Sequence, residues 1–222
     1  MNCCRTTGLL PNELVRDRQS DLLTAYLDQI IVLKPPASKT SVYHLRIEML
    51  GIEPLIWRRI WVPGNTKLPK LHRILQIVMG WENYHLHQFH VGPWLYGVPD
   101  PDGFYDPENF KYEKSATLEM IAPDRGDTFV YEYDFGDGWE HKVKVEKIVP
   151  IDEQNFWPMC VAGERSAPPE DVGGVGGYMD FLEAMHNPTH HEHKQVWAWN
   201  SGPFDPNGFD LNTINKQLMK LK

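Results

Sequence analysis

Cysteine is scarce in this chain of 222 residues: Cys3 and Cys4 are adjacent, and Cys160 stands far from both. Three cysteines so placed cannot form a disulfide framework. Cys160 has no Cys-x-x-Cys partner, which excludes a cysteine zinc finger. A long apolar run is missing as well. The apolar stretch at residues 22–33 is broken by Thr24, Asp28 and Gln29 and is too short to cross a bilayer, so no membrane association is expected. The first residues lack the charged-then-apolar layout of a secretory signal, and a cytoplasmic location is expected. Positive charge is also short, with 22 Lys and Arg against 30 Asp and Glu and a formal charge of −8. Duplex DNA binding through phosphate neutralisation calls for a basic face that this balance does not supply on average.

What is abundant is aromatic. Eight tryptophans and an aromatic fraction of 12% describe a chain that buries a core. Its length suits one large domain, or one domain with an appendage. Leu22, Leu23, Tyr26, Leu27, Ile30 and Ile31 recur at helical spacing, and the proline-bearing residues 34–39 follow. Residues 1–40 are therefore expected to form a helical extension and linker, and its helix is a candidate surface for a protein partner. Residues 41–222 form the main domain.

Strands dominate the next part. Residues 42–50 and 55–62 predict an antiparallel pair interrupted by Arg58 and Arg59. Leu71, Ile74, Leu75, Val78 and Met79 share one face of a helix that stops at Gly80. A strand is expected over residues 85–91, an exposed loop over 99–114, and a hairpin from residues 128–133 and 140–149. Tyr178, Phe181, Leu182 and Met185 mark a helix closed by Asn187-Pro188, and Asp210 caps a last one. The fold class read from this order is α+β, a mainly antiparallel sheet with helices packed around it.

Candidate chemistry concentrates in residues 131–141, YEYDFGDGWEH, where Asp134, Asp137, Glu140 and His141 gather about one turn. Alternation places His141 with Trp139, Val143 and Val145 on the apolar face and Glu140 on the opposite one. Asp134 and Asp137 suit turn capping as well as acid–base or metal chemistry. On a strand, His85 and His87 would project from one face with Cα atoms ~6.6 Å apart, a spacing that lets two imidazoles share a metal. A third ligand would come from His141, Asp134, Asp137 or Cys160, and zinc or manganese would be the divalent metal. Ordinary hydrogen-bonded histidines are the alternative. His190, His191 and His193 read as an exposed helix start. The glycines at 173–177 lack the lysine of a P-loop and follow the acidic Glu170 and Asp171, so they read as a flexible approach to a helix.

From about Tyr43 onward the chain resembles the plasmid pRiA4b Orf-3-like family. The resemblance rests on Ile56-Trp57-Arg58-Arg59, Leu71-His72, Gly80-Trp81 with His85-Leu86-His87 and Phe89, and residues 131–141. It continues through residues 160–163, residues 168–174 with Gly177-Tyr178, Phe204-Asp205 and Phe209-Asp210. It implies a product of plasmids or insertion elements, a resolvase-like passenger, and supplies no catalytic residues. The chain itself shows no recombinase layout and no helix-turn-helix.

The leading functional expectation is a binding or accessory module whose polar cleft draws on His72, His85, His87, Asp134, Asp137, Glu140, His141, Cys160, Glu170 and Asp171. A metal-dependent hydrolase, acting on phosphodiesters with Arg58 and Arg59 steadying anionic charge, is the alternative. A third reading is structural: Trp57, Trp81, Trp139, Tyr131 and Tyr133 form an aromatic core whose polar neighbours satisfy one another.

Overall fold

The computed structural model describes residues 40–99, 108–151 and 157–221. The chain divides into two units between Lys39 and Thr40. The expected N-terminal helix and linker lie outside the described residues.

Eight strands, counted among the described residues, form one sheet: β1 (Thr40–Met49), β2 (Trp57–Pro63), β3 (His87–Val91), β4 (Trp94–Gly97), β5 (Phe110–Tyr112), β6 (Thr128–Tyr133), β7 (Trp139–Ile151) and β8 (Met159–Glu164). Their order is β5-β4-β3-β6-β7-β1-β2-β8. Every neighbouring pair is antiparallel except β4 with β5. The helices are α1 (Leu68–Met79), the single turn α2 (Leu118–Ile121), α3 (Gly174–His186), α4 (His193–Trp199) and α5 (Leu211–Leu218). The protein is therefore α+β.

Period-two alternation gives the sheet two unlike faces. Leu45, Ile47 and Met49 of β1, Ile60 and Val62 of β2, Phe89 of β3, Phe129, Tyr131 and Tyr133 of β6 and Trp139, Val143 and Val145 of β7 are buried. They join Leu71, Ile74, Leu75 and Val78 of α1 in one core. The opposite face carries polar pairs, Arg46 with Glu48 and Arg59 with Glu146, and a stacked His44–Trp61. α1 ends where Gly80 adopts φ 85°, a left-handed conformation that glycine takes without Cβ strain, and Gly80 N–H caps Gln76 O. Near the end of the sequence Asp210 accepts the amides of Asn212 and Thr213 and so starts α5.

Several expectations change. The second strand begins at Trp57 and the third at His87, each two residues later than the apolar pattern suggests. The segment expected as an exposed loop, residues 99–114, contains β5 and runs into a 3-10 turn, Glu113–Ser115, where Glu113 is drawn inward by His87. Trp57 stays out of the aromatic core. It lies on the outer face, donates Nε1–H to Glu164 and sits beneath the Arg46 guanidinium.

Arg58 is the most unusual buried group, at 2% exposure. Among the described residues no carboxylate pairs with it. Its Nε donates to Val78 O at 2.7 Å and its Nη1 to Trp57 O and Glu164 O at 2.9 and 2.8 Å, tying the end of α1 to β2 and β8. Burial pulls its pKa down to about 10, which leaves it charged at neutral pH. Arg58→Ala strands these carbonyls and should cost about 3 kcal/mol in urea unfolding. Arg58→Lys should restore less than half, because one ammonium cannot span the guanidinium fork. Equal stability of the alanine variant and the native chain would show that the three bonds contribute little.

Candidate functional site

Three segments far apart in sequence converge at one end of β3 and β6. The first is residues 82–86, leading into β3. The second is the β6–β7 turn at residues 134–138, and the third is the approach to α3 at residues 170–174. Tyr133, the last residue of β6, joins two of them. Its hydroxyl accepts the Tyr84 N–H at 3.0 Å and donates to the Glu170 carboxylate at 3.0 Å, while Glu170 Oε1 also accepts the Glu82 N–H at 2.8 Å. Burial and the neighbouring Glu170 raise the Tyr133 pKa, so the phenol keeps its proton.

Asp134 follows with φ 58°, a left-handed position that aspartate tolerates better than most residues. Its Oδ1 accepts the Gly136 amide at 2.9 Å, and its own N–H bonds Leu86 O at 2.9 Å. Oδ2 faces His85. Asp137 turns the other way and accepts the Gly173 N–H at 3.1 Å. A Cβ on Gly174 would lie 2.6 Å from Asp137 O, so glycine is what allows the start of α3 to touch this turn.

The result is a cluster of His85, Asp134 and Asp171 whose ligand atoms all lie within 4.8 Å of one another. His85 Nε2 is 2.9 Å from Asp171 Oδ1, 3.6 Å from Asp134 Oδ2 and 4.0 Å from Glu170 Oε2. The approach to Asp171 is out of hydrogen-bonding line, for Nε2 is a buried atom with no hydrogen-bond partner among the described residues. Side-chain exposure runs from 9% at Asp134 to 65% at Asp171, so the cluster opens on one side. Tyr84, Leu86 and Phe135, each adjacent in sequence to a cluster residue, are exposed apolar side chains. One imidazole and two or three carboxylates form a donor set suited to a divalent cation such as Zn²⁺ or Mn²⁺.

The other sequence candidates are distributed differently. His87 does not join His85: the strand begins only at His87, and its Nε2 is taken by Glu113 at 2.8 Å. Its ring stacks on His72 with centroids 3.4 Å apart. His72 belongs to a closed circuit. Gln76 donates to the Tyr131 hydroxyl, that hydroxyl meets His72 Nδ1 at 2.8 Å, His72 Nε2 meets Asn83 Oδ1, and the Asn83 N–H returns to Gln76 Oε1. His141 lies in the core beside Trp81, with Nδ1 on Tyr131 O at 3.2 Å and Nε2 without a partner. Glu140 is exposed and points from the sheet's outer face, away from the cluster. Cys160 is buried, its thiol pushed up to about 11 by burial, which makes it a poor nucleophile at neutral pH. Arg58 and Arg59 are engaged elsewhere, Arg58 by carbonyls and Arg59 by Glu146 at 2.6 Å.

Residues 41–213 match the family described as plasmid pRiA4b ORF-3-like protein. The chain belongs to that family. A relative within reach is the uncharacterized protein y4hQ of Sinorhizobium fredii (strain NBRC 101917 / NGR234), 35% identical over 179 residues that cover 80% of this chain and 91% of the relative. Among solved structures, the protein of unknown function MM3350 from Methanosarcina mazei Go1 superposes with a TM-score of 0.68 at 39% identity, covering 78% of this chain and 97% of that one. That solved protein thus shares the fold described above. Among the described residues no helix is long and apolar enough to cross a membrane.

Sequence reasoning named His85, Asp134 and Asp171 among its candidates, and the structure brings these three together; that reasoning did not foresee Tyr133 as the residue that joins their neighbours or Glu113 as the partner of His87. No local pattern marks either pairing.

The buried histidines give the site's surroundings a pH dependence. Burial, reinforced by His87, lowers the His72 pKa to about 3, and burial lowers that of His141 to about 4. The unfolded chain takes up protons at both positions below about pH 6.5, while the folded chain does not. Stability is therefore full above pH 6.5 and falls progressively as the pH drops toward 4 and 3. Between pH 7 and 5 the loss should be on the order of 3 kcal/mol, read from urea midpoints. His141→Leu should flatten that limb by up to ~1.4 kcal/mol per pH unit. An unchanged slope would clear His141 of the effect.

Proposed function

We propose that this protein is a binding module whose cleft is organised by a divalent cation held by His85, Asp134 and Asp171, with Glu170 beside them. The observation that carries this reading is the convergence of one imidazole and two carboxylates within 4.8 Å, with a buried His85 Nε2 that no hydrogen bond satisfies. A cation there would receive Nε2 and the carboxylate oxygens together, and would relieve the repulsion between neighbouring acids. Three protein ligands and an open side leave room for a further donor from a ligand. The exposed Tyr84, Leu86 and Phe135 offer that ligand apolar contact.

Binding is favoured over hydrolysis by the charge around the cluster. Transfer at a phosphodiester calls for cationic groups that steady the developing anion, and Arg58 and Arg59 are already committed.

Untagged protein titrated with Zn²⁺ and Mn²⁺ should bind one equivalent, measured by calorimetry and by metal analysis after dialysis. Free cation at 100 times Kd should stabilise the fold by about 2.7 kcal/mol, a Tm rise of roughly 5–10 °C. His85→Ala and Asp171→Asn should each weaken uptake about a hundredfold, equivalent to ~2.7 kcal/mol, without altering the metal-free Tm by more than ~1 °C. Uptake that survives both substitutions would place the metal elsewhere and overturn the reading. Metal-dependent cleavage of bis(p-nitrophenyl) phosphate, lost in His85→Ala, would instead make the same centre hydrolytic.

A further inference from the structure

A second feature adjoins the cluster, shares Asp171 with it and is otherwise built from α3, α4 and Val172. A cleft of about 370 Å³ opens between α3 and α4 and the residues before α3. Gly177, Asp180 and Phe181 stand three and four residues apart on α3, so they share one face. Glu192, Gln195, Val196 and Trp199 repeat that spacing along α4 and its cap. Between them the floor is apolar, with Val172, Phe181 and Val196 beneath and the exposed indole of Trp199 as a wall. Trp199 meets the buried Phe181 edge-on, at 5.8 Å between centroids and 72° between planes, which fixes the wall against a core residue.

The rim carries one sign of charge. Asp171, Asp180 and Glu192 line the cleft, and no lysine, arginine or histidine is among its lining residues. Among the described residues Asp180 forms no ion pair. Glu192 has only His191 at 4.0 Å, and both of those side chains are largely exposed. An apolar floor, an available indole face and the carboxylates of Asp180 and Glu192, which lie outside the His85 cluster, are complementary to one kind of occupant. The volume lies near the lower end of small-ligand sites, which suits a single side chain or a small amine.

We infer that this cleft binds an organic cation, a guanidinium or ammonium group on a short apolar stem. The cation lies over Trp199, its stem covers Phe181 and Val196, and Asp180 and Glu192 flank the charge. This inference does not rest on the divalent-cation reading, since Asp180, Glu192 and Trp199 are outside that cluster.

Calorimetric titration of the full chain with agmatine and with N-acetyl-arginine methylamide tests it, using an uncharged stem of equal length, N-butylurea, as control. Agmatine should bind saturably and the urea at least tenfold more weakly. Asp180→Asn combined with Glu192→Gln should weaken agmatine about tenfold, and Trp199→Ala about threefold to tenfold. His85→Ala, which removes metal uptake if the cluster holds a cation, should leave agmatine binding unchanged, so the two readings fail separately. Binding of the capped arginine as tightly as agmatine identifies a basic side chain of a peptide as the occupant. Binding of agmatine alone identifies a free amine. Equal affinity for the uncharged stem, or full affinity after loss of Asp180, Glu192 and Trp199, overturns the inference.

Discussion

The hydroxyl of Tyr133 is the point on which the candidate site depends. It accepts from the backbone before β3 and donates to a carboxylate before α3, so a single oxygen sets the distance between two segments about 85 residues apart in sequence. His85 is the residue after Tyr84, and Asp171 the residue after Glu170; each is therefore one bond's reach from an anchored neighbour. Asp134 is the residue after Tyr133 itself. The cluster consists of the three side chains next in line to this junction, and their convergence follows from it. The Tyr133 ring is in turn held against Trp81, 4.9 Å between centroids, so the junction hangs on the core and not on a mobile loop.

Behind that junction the sheet's inner face is more polar than its alternation suggests. Tyr131, His72, Gln76 and Asn83 satisfy one another around a closed circuit, and His87 and Glu113 satisfy each other beside it. Such a network is stable only when each member has its partner, because an unmatched buried donor or acceptor costs roughly 1–3 kcal/mol. This is why His72 and His87 are poor metal ligands although they lie in the same neighbourhood as His85. Both ring nitrogens of His72 and Nε2 of His87 are already bonded within the fold. His85 is the histidine of the three whose Nε2 remains free to face a ligand.

Much of the fold was legible because it is written in local periods. The face of α1, its stop at Gly80, the Asp210 cap and the sorting of His141 from Glu140 across β7 all follow from spacing within a few residues. Residue chemistry likewise pointed to His85, Asp134 and Asp171. What could not be read was which of the candidates meet. His87 finds Glu113 across 26 residues, through a segment whose turn-forming composition resembles an exposed loop. Short strands such as β4 and β5, with four and three residues, carry too few alternations to announce themselves. Pairing at long range is set by packing, and a single sequence records packing only indirectly.

The distribution of charge then decides what kind of ligand this end of the molecule can take. Arg58, the cation nearest the core, is turned inward and solvated by carbonyls, and Arg59 is neutralised on the outer face by Glu146. Acids are treated in the opposite way. Glu170 is held by hydrogen bonds that keep it in place as a carboxylate acceptor, while Asp171, Asp180 and Glu192 are left at the surface beside apolar side chains. Carboxylates presented beside apolar side chains favour positive charge over phosphate. The two proposed ligands, a divalent ion and an organic cation, answer the same sign of potential. What would separate them is geometry: converging lone pairs would select a metal, and an apolar floor with an indole wall would select an amine.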